Sequence, residues 1–372
     1  MPARRKRSCA QCVVMRIAFV AHHGSIHTRR WAGFFAARGH DVHVVTCGDG
    51  DVPTEGTYEV HDLGPPRPPK SGYLLRVPAA RATLRRLRPD IIHALYATSY
   101  GMLGLASGVR PLVVTAHGSD VLLGRHNPIY ARVLRRVFRG AALVTVPSVE
   151  MRDALIEIAR SHVDVEVFQY GVESQRLTTL ADGERADRAA PGTPCSIVTA
   201  RPLRPLYRLD VLLDALAILA RARRDWSCTV FGDGEERESA EARVRSLDLE
   251  ELVTFVGQRP ALEVETALAR ADLYVSLAES DGASIALLEA MALGAVPVVS
   301  DIASNRAWIR DGHNGILSPI SASEASASIE RALALDRTAV AAINRALVAE
   351  RADRDRNLGA LEQRLLKLVD PS

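Results

Sequence analysis

An α/β protein made of two doubly wound, Rossmann-like domains is what the sequence predicts, and three observations predict it. The chain has 372 residues, about twice the length of a typical domain. Short continuous apolar runs alternate with helical patterns over 16–146, and the same alternation returns over 195–300. Between the two series, 171–194 (GVESQRLTTLADGERADRAAPGTP) is polar and rich in Gly, Pro and charge, as an interdomain linker would be. Open parallel sheets bind ligands outside the carboxyl ends of their strands. A cleft with the two domains facing across it is therefore the expected active site.

The elements follow in order. Residues 1–14 (MPARRKRSCAQCVV) are basic and lack the apolar region and cleavage site of a secretory signal. They read as a disordered extension, or as residues upstream of a true start at Met15. Cys9 and Cys12 form a lone CxxC with no second ligand pair, so no metal is expected there. The first domain is expected over 15–170. Its strands are 16–21 (RIAFVA), 41–46 (DVHVVT), 90–95, 112–116 and 143–146, and a helix over 31–38 stops at Gly39. The second domain is expected over 195–340. Its strands are 195–200, 228–232, 253–257, 273–277 and 296–300, and its helices are 209–222, 235–246, 261–270 and 284–293. The rest is Ala/Leu/Arg-rich and helical, with 341–372 as a terminal segment.

Composition excludes several classes. At 47% hydrophobic and 24% charged, with no apolar run long enough to span a membrane, the chain reads as an average globular protein. Five cysteines suit a reducing cytoplasm better than a disulfide scaffold. The net charge of +3 divides unevenly. Residues 1–170 hold 23 Lys+Arg against 13 Asp+Glu, while 171–372 hold 24 against 31. A basic front half admits an anionic membrane surface on the cytoplasmic face or an anionic acceptor. Arg132, Arg135, Arg136 and Arg139 on one helix could face phospholipid headgroups. No nucleic-acid partner is expected, because no RNA motif or zinc-finger spacing accompanies the charge.

The stretch 279–301 (ESDGASIALLEAMALGAVPVVSD) carries the most chemistry. Asp281 and Gly282 stand just before a helix whose first amides, on Ser284 and Ile285, would be unpaired donors suited to a pyrophosphate. Glu289 lies eight residues after Asp281 and can accept hydrogen bonds from both hydroxyls of a ribose. Two carboxylates bracketing a phosphate-binding helix start suit a nucleotide-sugar.

This stretch resembles the Glu-x7-Glu motif of the family-four retaining glycosyltransferases, in the branch whose first acid is Asp. The following VPVVSDIASNRAWIRDGHNG continues the likeness, with Ala307 where many relatives carry Glu. The resemblance covers roughly 15–317 and implies the GT-B fold, with the terminal helix crossing back toward the first domain. It implies that Arg201, at a strand end in ARPLRPLYRLDVLLDA, binds the donor diphosphate. The family's neighbouring Lys is replaced here by Tyr207. Arg204 or Arg208 could supply the charge, or Tyr207 a neutral bond. Gly232 and Gly234 (FGDGEER) resemble a Gly-x-Gly turn that lets the donor approach, and Arg259 (VGQR) falls where relatives hold the base. In the first domain, TAHGSDV resembles the family's His-Gly-x-Asp segment, which brings His117 to the transferred sugar and Asp120 beside it. Gly24, in the loop HHGSIHTRR, would let that loop approach the donor or acceptor; His22, His23 and His27 beside it are not read as metal ligands. Asp49-Gly50-Asp51 imitates a metal-binding acid pair but reads as a polar turn.

The expected function is retaining transfer of a hexose-type sugar from a nucleoside-diphosphate sugar to a hydroxyl on a glycan, a lipid-linked saccharide or a small molecule. His117, Arg201 and Asp281 are the catalytic candidates. No metal or other cofactor is expected in the chemistry. A nucleotide-sugar epimerase of the same architecture and a catalytically silent nucleotide-sugar binder are the competing readings.

Overall fold

The structure, a computed structural model, describes residues 13–48, 58–66, 72–122, 127–186, 194–282 and 284–370. Cys9, Cys12 and the Asp49-Gly50-Asp51 turn lie outside the described residues. The chain divides into two compact units. One runs to Phe168 and regains the chain from Leu358; the other is Gln169–Asn357.

The first unit is built on seven strands: β1 (Arg16–Val20), β2 (Asp41–Thr46), β3 (Glu59–Asp62), β4 (Ile91–Leu95), β5 (Leu112–Thr115), β6 (Leu143–Val146) and β7 (Val165–Val167). All pair in parallel, in the order β3-β2-β1-β4-β5-β6-β7. The central strands are apolar along their length because helices cover both faces. Ile17, Phe19, Ile91 and Val113 are fully buried. Truncating a ring such as Phe19 there costs about 3–5 kcal/mol. The edge strands β3 and β7 carry no buried residue, and the apolar pattern misses both. The first helix is Ile26–Ala37, beginning five residues before the expected position, because 27–30 carry polar side chains that mask the period.

The second unit has six parallel strands: β8 (Cys195–Ala200), β9 (Trp226–Phe231), β10 (Val253–Gly257), β11 (Leu273–Ser276), β12 (Val296–Ser300) and β13 (Ile316–Ser318). Their order is β10-β9-β8-β11-β12-β13. Strand order reverses between β8 and β11, as it does between β1 and β4. The loops that leave β8 and β11 therefore diverge around a crevice at the sheet's switch point.

Two compositional readings need correction. The stretch read as a linker holds a helix, Ser174–Ala186, whose Leu177 and Ala181 are buried in the core of the second unit. Its few apolar residues lie at helical spacing and are diluted by charge. The arginine face on the helix Pro128–Gly140 is only half available. Arg135 and Arg139 donate to the carbonyls of Ile158 and Ala159, both at 3.0 Å, at the end of the helix Val149–Ala159. Arg132, Arg136 and Arg139 are exposed, and of these Arg132 and Arg136 make no such bond to the neighbouring helix among the described residues. Among the described residues, no helix is long and apolar enough to cross a membrane.

The returning segment is anchored by polar contacts. Glu362 accepts from Arg38 Nε at 2.8 Å and lies 2.6 Å from His40 Nε2. Burial works against this carboxylate, but the bonds from Arg38 and His40 hold its pKa below the ordinary value.

Candidate functional site

The switch point of the second sheet gathers the charged site. At the end of β8 the chain turns through Arg201, and after β11 it reaches Asp281 and then Ser284, which caps the helix Ile285–Leu293. Arg201 donates through Nη2 to Asp281 Oδ2 at 2.6 Å and through Nη1 to Ser284 Oγ at 3.1 Å. Its guanidinium stacks on the Tyr207 ring, 4.3 Å from the centroid. The buried Nε has no acceptor among the described residues. Burial opposes the charge, but Asp281 and the nearby Tyr274 and Tyr207 hydroxyls outweigh it, so the pKa of Arg201 is raised. A cation mostly out of water is thus held in a fixed geometry at a helix start.

The expectation for Ser284 is corrected in one respect. The helix begins at Ile285, and Ser284 is its cap, accepting from the Leu287 amide at 3.3 Å. The first-turn amides suited to an anion are those of Ile285 and Ala286. Glu289 is the fifth helical residue and is half-buried. Gly282 lies just ahead of the cap.

Gly232 and Gly234 have a packing role that the sequence did not show. A Cβ on Gly232 would lie 2.1 Å from the Arg201 carbonyl oxygen, and one on Gly234 would lie 2.3 Å from that of Leu203. The backbone that approaches them is the Arg201 loop itself, so these glycines seat the arginine.

The candidates for the missing lysine now separate. Tyr207 lies in the short turn Pro205–Tyr207 and is the platform under Arg201. Arg208 is already compensated: it grips Asp210 at 3.0 and 3.1 Å and Glu279 at 2.9 Å. The bond to Asp210, with that to Glu279, raises its pKa despite some burial. Arg204 is exposed, with no ion-pair partner among the described residues. Arg259 bonds the Val256 carbonyl at 2.9 Å and opens on a separate groove with Leu262 and Glu263, so it does not join Arg201.

In the first unit, His117 follows β5 and is half-buried, its ring 5.9 Å from that of His27 and 6.1 Å from that of Tyr96. Burial lowers the pKa of His117 to about 4. Burial, His117 and Arg30 lower that of His27 to about 3. Both rings are neutral near pH 7. Asp120 corrects its assignment. It is 2% exposed, and its carboxylate accepts from the amides of Ala97 (2.7 Å), His117 and Gly118 (both 3.0 Å), and Val121 (3.1 Å). Burial raises its pKa against those bonds. It braces the His117 loop, with Oδ1 taken by three amides and Oδ2 by that of Ala97. Gly24 lies in the half-exposed loop between β1 and the helix Ile26–Ala37. Sequence reasoning missed Tyr96, whose φ of +89° marks a strained turn, and the partnership of His27 with His117. The histidine count in 22–27 was the available signal.

Two family models match. Glycosyl transferases group 1 matches residues 182–347, and glycosyl transferase 4-like matches 16–148. Similar curated proteins include the amylovoran biosynthesis glycosyltransferase AmsK of Erwinia amylovora, 26% identical over 253 residues; the match spans 63% of this chain and 60% of that protein. The N-acetyl-alpha-D-glucosaminyl L-malate synthase of Bacillus anthracis is 23% identical over 305 residues, covering 76% of each. Among solved structures, Anabaena Alr3699/HepE in complex with UDP and glucose superposes with a TM-score of 0.76 at 21% identity, covering 95% of this chain and 100% of that one. Sucrose-phosphate synthase from Thermosynechococcus elongatus gives 0.83 at 18%, covering 96% and 100%. These likenesses agree with the two-sheet GT-B fold class.

Proposed function

We propose that this chain, which belongs to the group 1 and 4-like glycosyl transferases, moves a hexose-type sugar from a nucleoside diphosphate to an acceptor hydroxyl with retention at the anomeric carbon. The observation that carries this is the Arg201–Asp281–Ser284 web at the helix start. Such a web is pre-organised for negative charge that grows on a departing diphosphate. Arg201 and the Ile285 and Ala286 amides meet that charge, and exposed Arg204 supplies the second cation that relatives draw from Lys. Asp281 commits Oδ2 to Arg201 and keeps Oδ1 for a sugar hydroxyl. Glu289 takes the ribose. Neutral His117 offers the sugar a hydrogen bond without adding charge.

No carboxylate is assigned as a covalent nucleophile. The leaving phosphate accepts the acceptor's proton on the face it departs from, so catalysis rests on positioning and charge stabilisation, with no divalent metal in the step. The UDP and glucose bound by HepE support a nucleotide-sugar donor. The acceptor is a glycan, a lipid-linked saccharide or a small molecule. An anionic membrane surface remains our reading for Arg132 and Arg136; failure to float with anionic liposomes at low salt would end it.

The decisive assay follows nucleoside-diphosphate release from nucleotide-sugars with and without acceptor. A transferase releases it only with acceptor, an epimerase turns over without one, and a silent binder does neither. Glu289→Ala is expected to weaken donor binding at least tenfold by calorimetry. Donor binding at the wild-type level in this variant would remove the ribose assignment.

A further inference from the structure

We propose that His43, Glu59 and His61 form a binding site for a zinc-class divalent cation at the edge of the first sheet, with Asp41 orienting His43. Strands β2 and β3 pair in parallel with His43 opposite Glu59 and Val45 opposite His61. The two-residue alternation of a strand then places 43, 59 and 61 on one sheet face, together with 41.

The donor atoms form a small triangle. His43 Nδ1 lies 3.2 Å from His61 Nε2 and 3.4 Å from Glu59 Oε2, and His61 Nε2 lies 3.7 Å from that same oxygen. Tetrahedral ligands bonded at zinc distances are separated by about 3.3 Å. Two imidazole nitrogens and one carboxylate suit zinc better than magnesium or calcium. The other nitrogen of His43, Nε2, is 3.2 Å from Asp41 Oδ1, the carboxylate–histidine arrangement that orients a metal-bound ring. Asp41 Oδ2 is itself held by Arg16 Nε at 2.5 Å. His43 is buried while the Glu59 side chain is 71% exposed, which leaves the fourth position to water. Arg86 also acts on His61, which tempers the affinity.

This site is separate from the transfer chemistry. His43 and Glu59 lie toward the amino ends of their strands, whereas Gly24 and His117 leave carboxyl ends. A bound cation would clamp the four-residue edge strand β3 onto β2 and blunt an exposed sheet edge.

The test uses the full chain, stripped with a chelator and titrated with zinc chloride by calorimetry, with cobalt(II) absorption as a second reading. One zinc per chain is expected at this site, with a tetrahedral cobalt spectrum. Binding at the site should be lost in His61→Ala and weakened about tenfold in Asp41→Asn. Circular dichroism and retained nucleotide binding establish that the variants are folded. Zinc should also raise the melting temperature of the wild type but not of His61→Ala. Absence of zinc binding in the wild type overturns the site, leaving a plain imidazole–imidazole hydrogen bond. Identical stoichiometry and affinity in wild type and His61→Ala overturn it too.

Discussion

The Arg201 loop and the His117 loop leave the carboxyl ends of parallel strands in similar sheets, and they solve opposite electrostatic problems. Around Arg201, a mostly buried cation keeps its charge because Asp281, Ser284 and the Tyr207 ring surround it. Around His117, burial keeps two imidazoles neutral. The carboxylate of Asp120 there is held by backbone amides. One loop therefore holds a paired charge in a fixed geometry, and the other presents polarity without charge. The difference teaches that a charged residue at a strand end is not itself evidence of ligand contact. What matters is whether its oxygens or N–H groups are spent on the loop.

The largest effect expected from this contrast is at Arg201. Arg201→Ala should lower kcat by about 10²–10³, or roughly 3–4 kcal/mol of transition-state stabilisation. Arg201→Lys should recover only part, since a point charge cannot hold Asp281 and Ser284 in a fork. A wild-type rate in Arg201→Ala would break the comparison on its charged side. Asp120→Asn should cost about 1–3 kcal/mol of stability, because an amide nitrogen would face the Ala97 N–H where a carboxylate oxygen accepted it. Urea unfolding checks this, and an unchanged midpoint alongside lost donor binding would restore Asp120 as a ligand contact. Gly234→Ala should displace the Leu203 carbonyl and, through it, Arg201. We expect nucleotide affinity to fall several-fold with His117 unaffected, measured by calorimetry.

Smaller effects come from pH. The His117 and His27 pKa values lie below the ordinary 6.5, at about 4 and about 3. Between these values and 6.5 the unfolded chain binds protons that the folded chain refuses. The folded state is therefore at its full stability above pH 6.5 and loses stability as pH falls through that window. Urea midpoints from pH 4 to 8 test the slope. The rate should show no inflection near pH 6.5 that His117→Asn abolishes. The smallest effect belongs to a chelator, which should leave the rate per folded molecule unchanged.

Much of this was readable in the sequence because buried parallel strands write themselves as apolar runs. The spans of β6, β8, β10 and β12 coincide with the expected 143–146, 195–200, 253–257 and 296–300. The strands β3, β7 and β13 were not readable, since each is short and two lie half in water. The site divides along similar lines. Arg201, Asp281 and Ser284 were legible because their spacing sets a helix start against a strand end. The true partner of Gly232 was not, because a Gly-x-Gly turn says that something comes close without saying what. Asp120 misled for a related reason: a carboxylate after a strand looks the same in sequence whether it faces a ligand or its own backbone.

The Glu362 anchor has a consequence for how the molecule is made. Arg38 and His40 sit early in the chain, and their acceptor lies 324 and 322 residues later. During synthesis the entire second unit must leave the ribosome before the first can close its last polar contacts. A nascent chain released short of Leu358 would carry all of the second unit and a first unit whose Arg38 and His40 lack the Glu362 carboxylate.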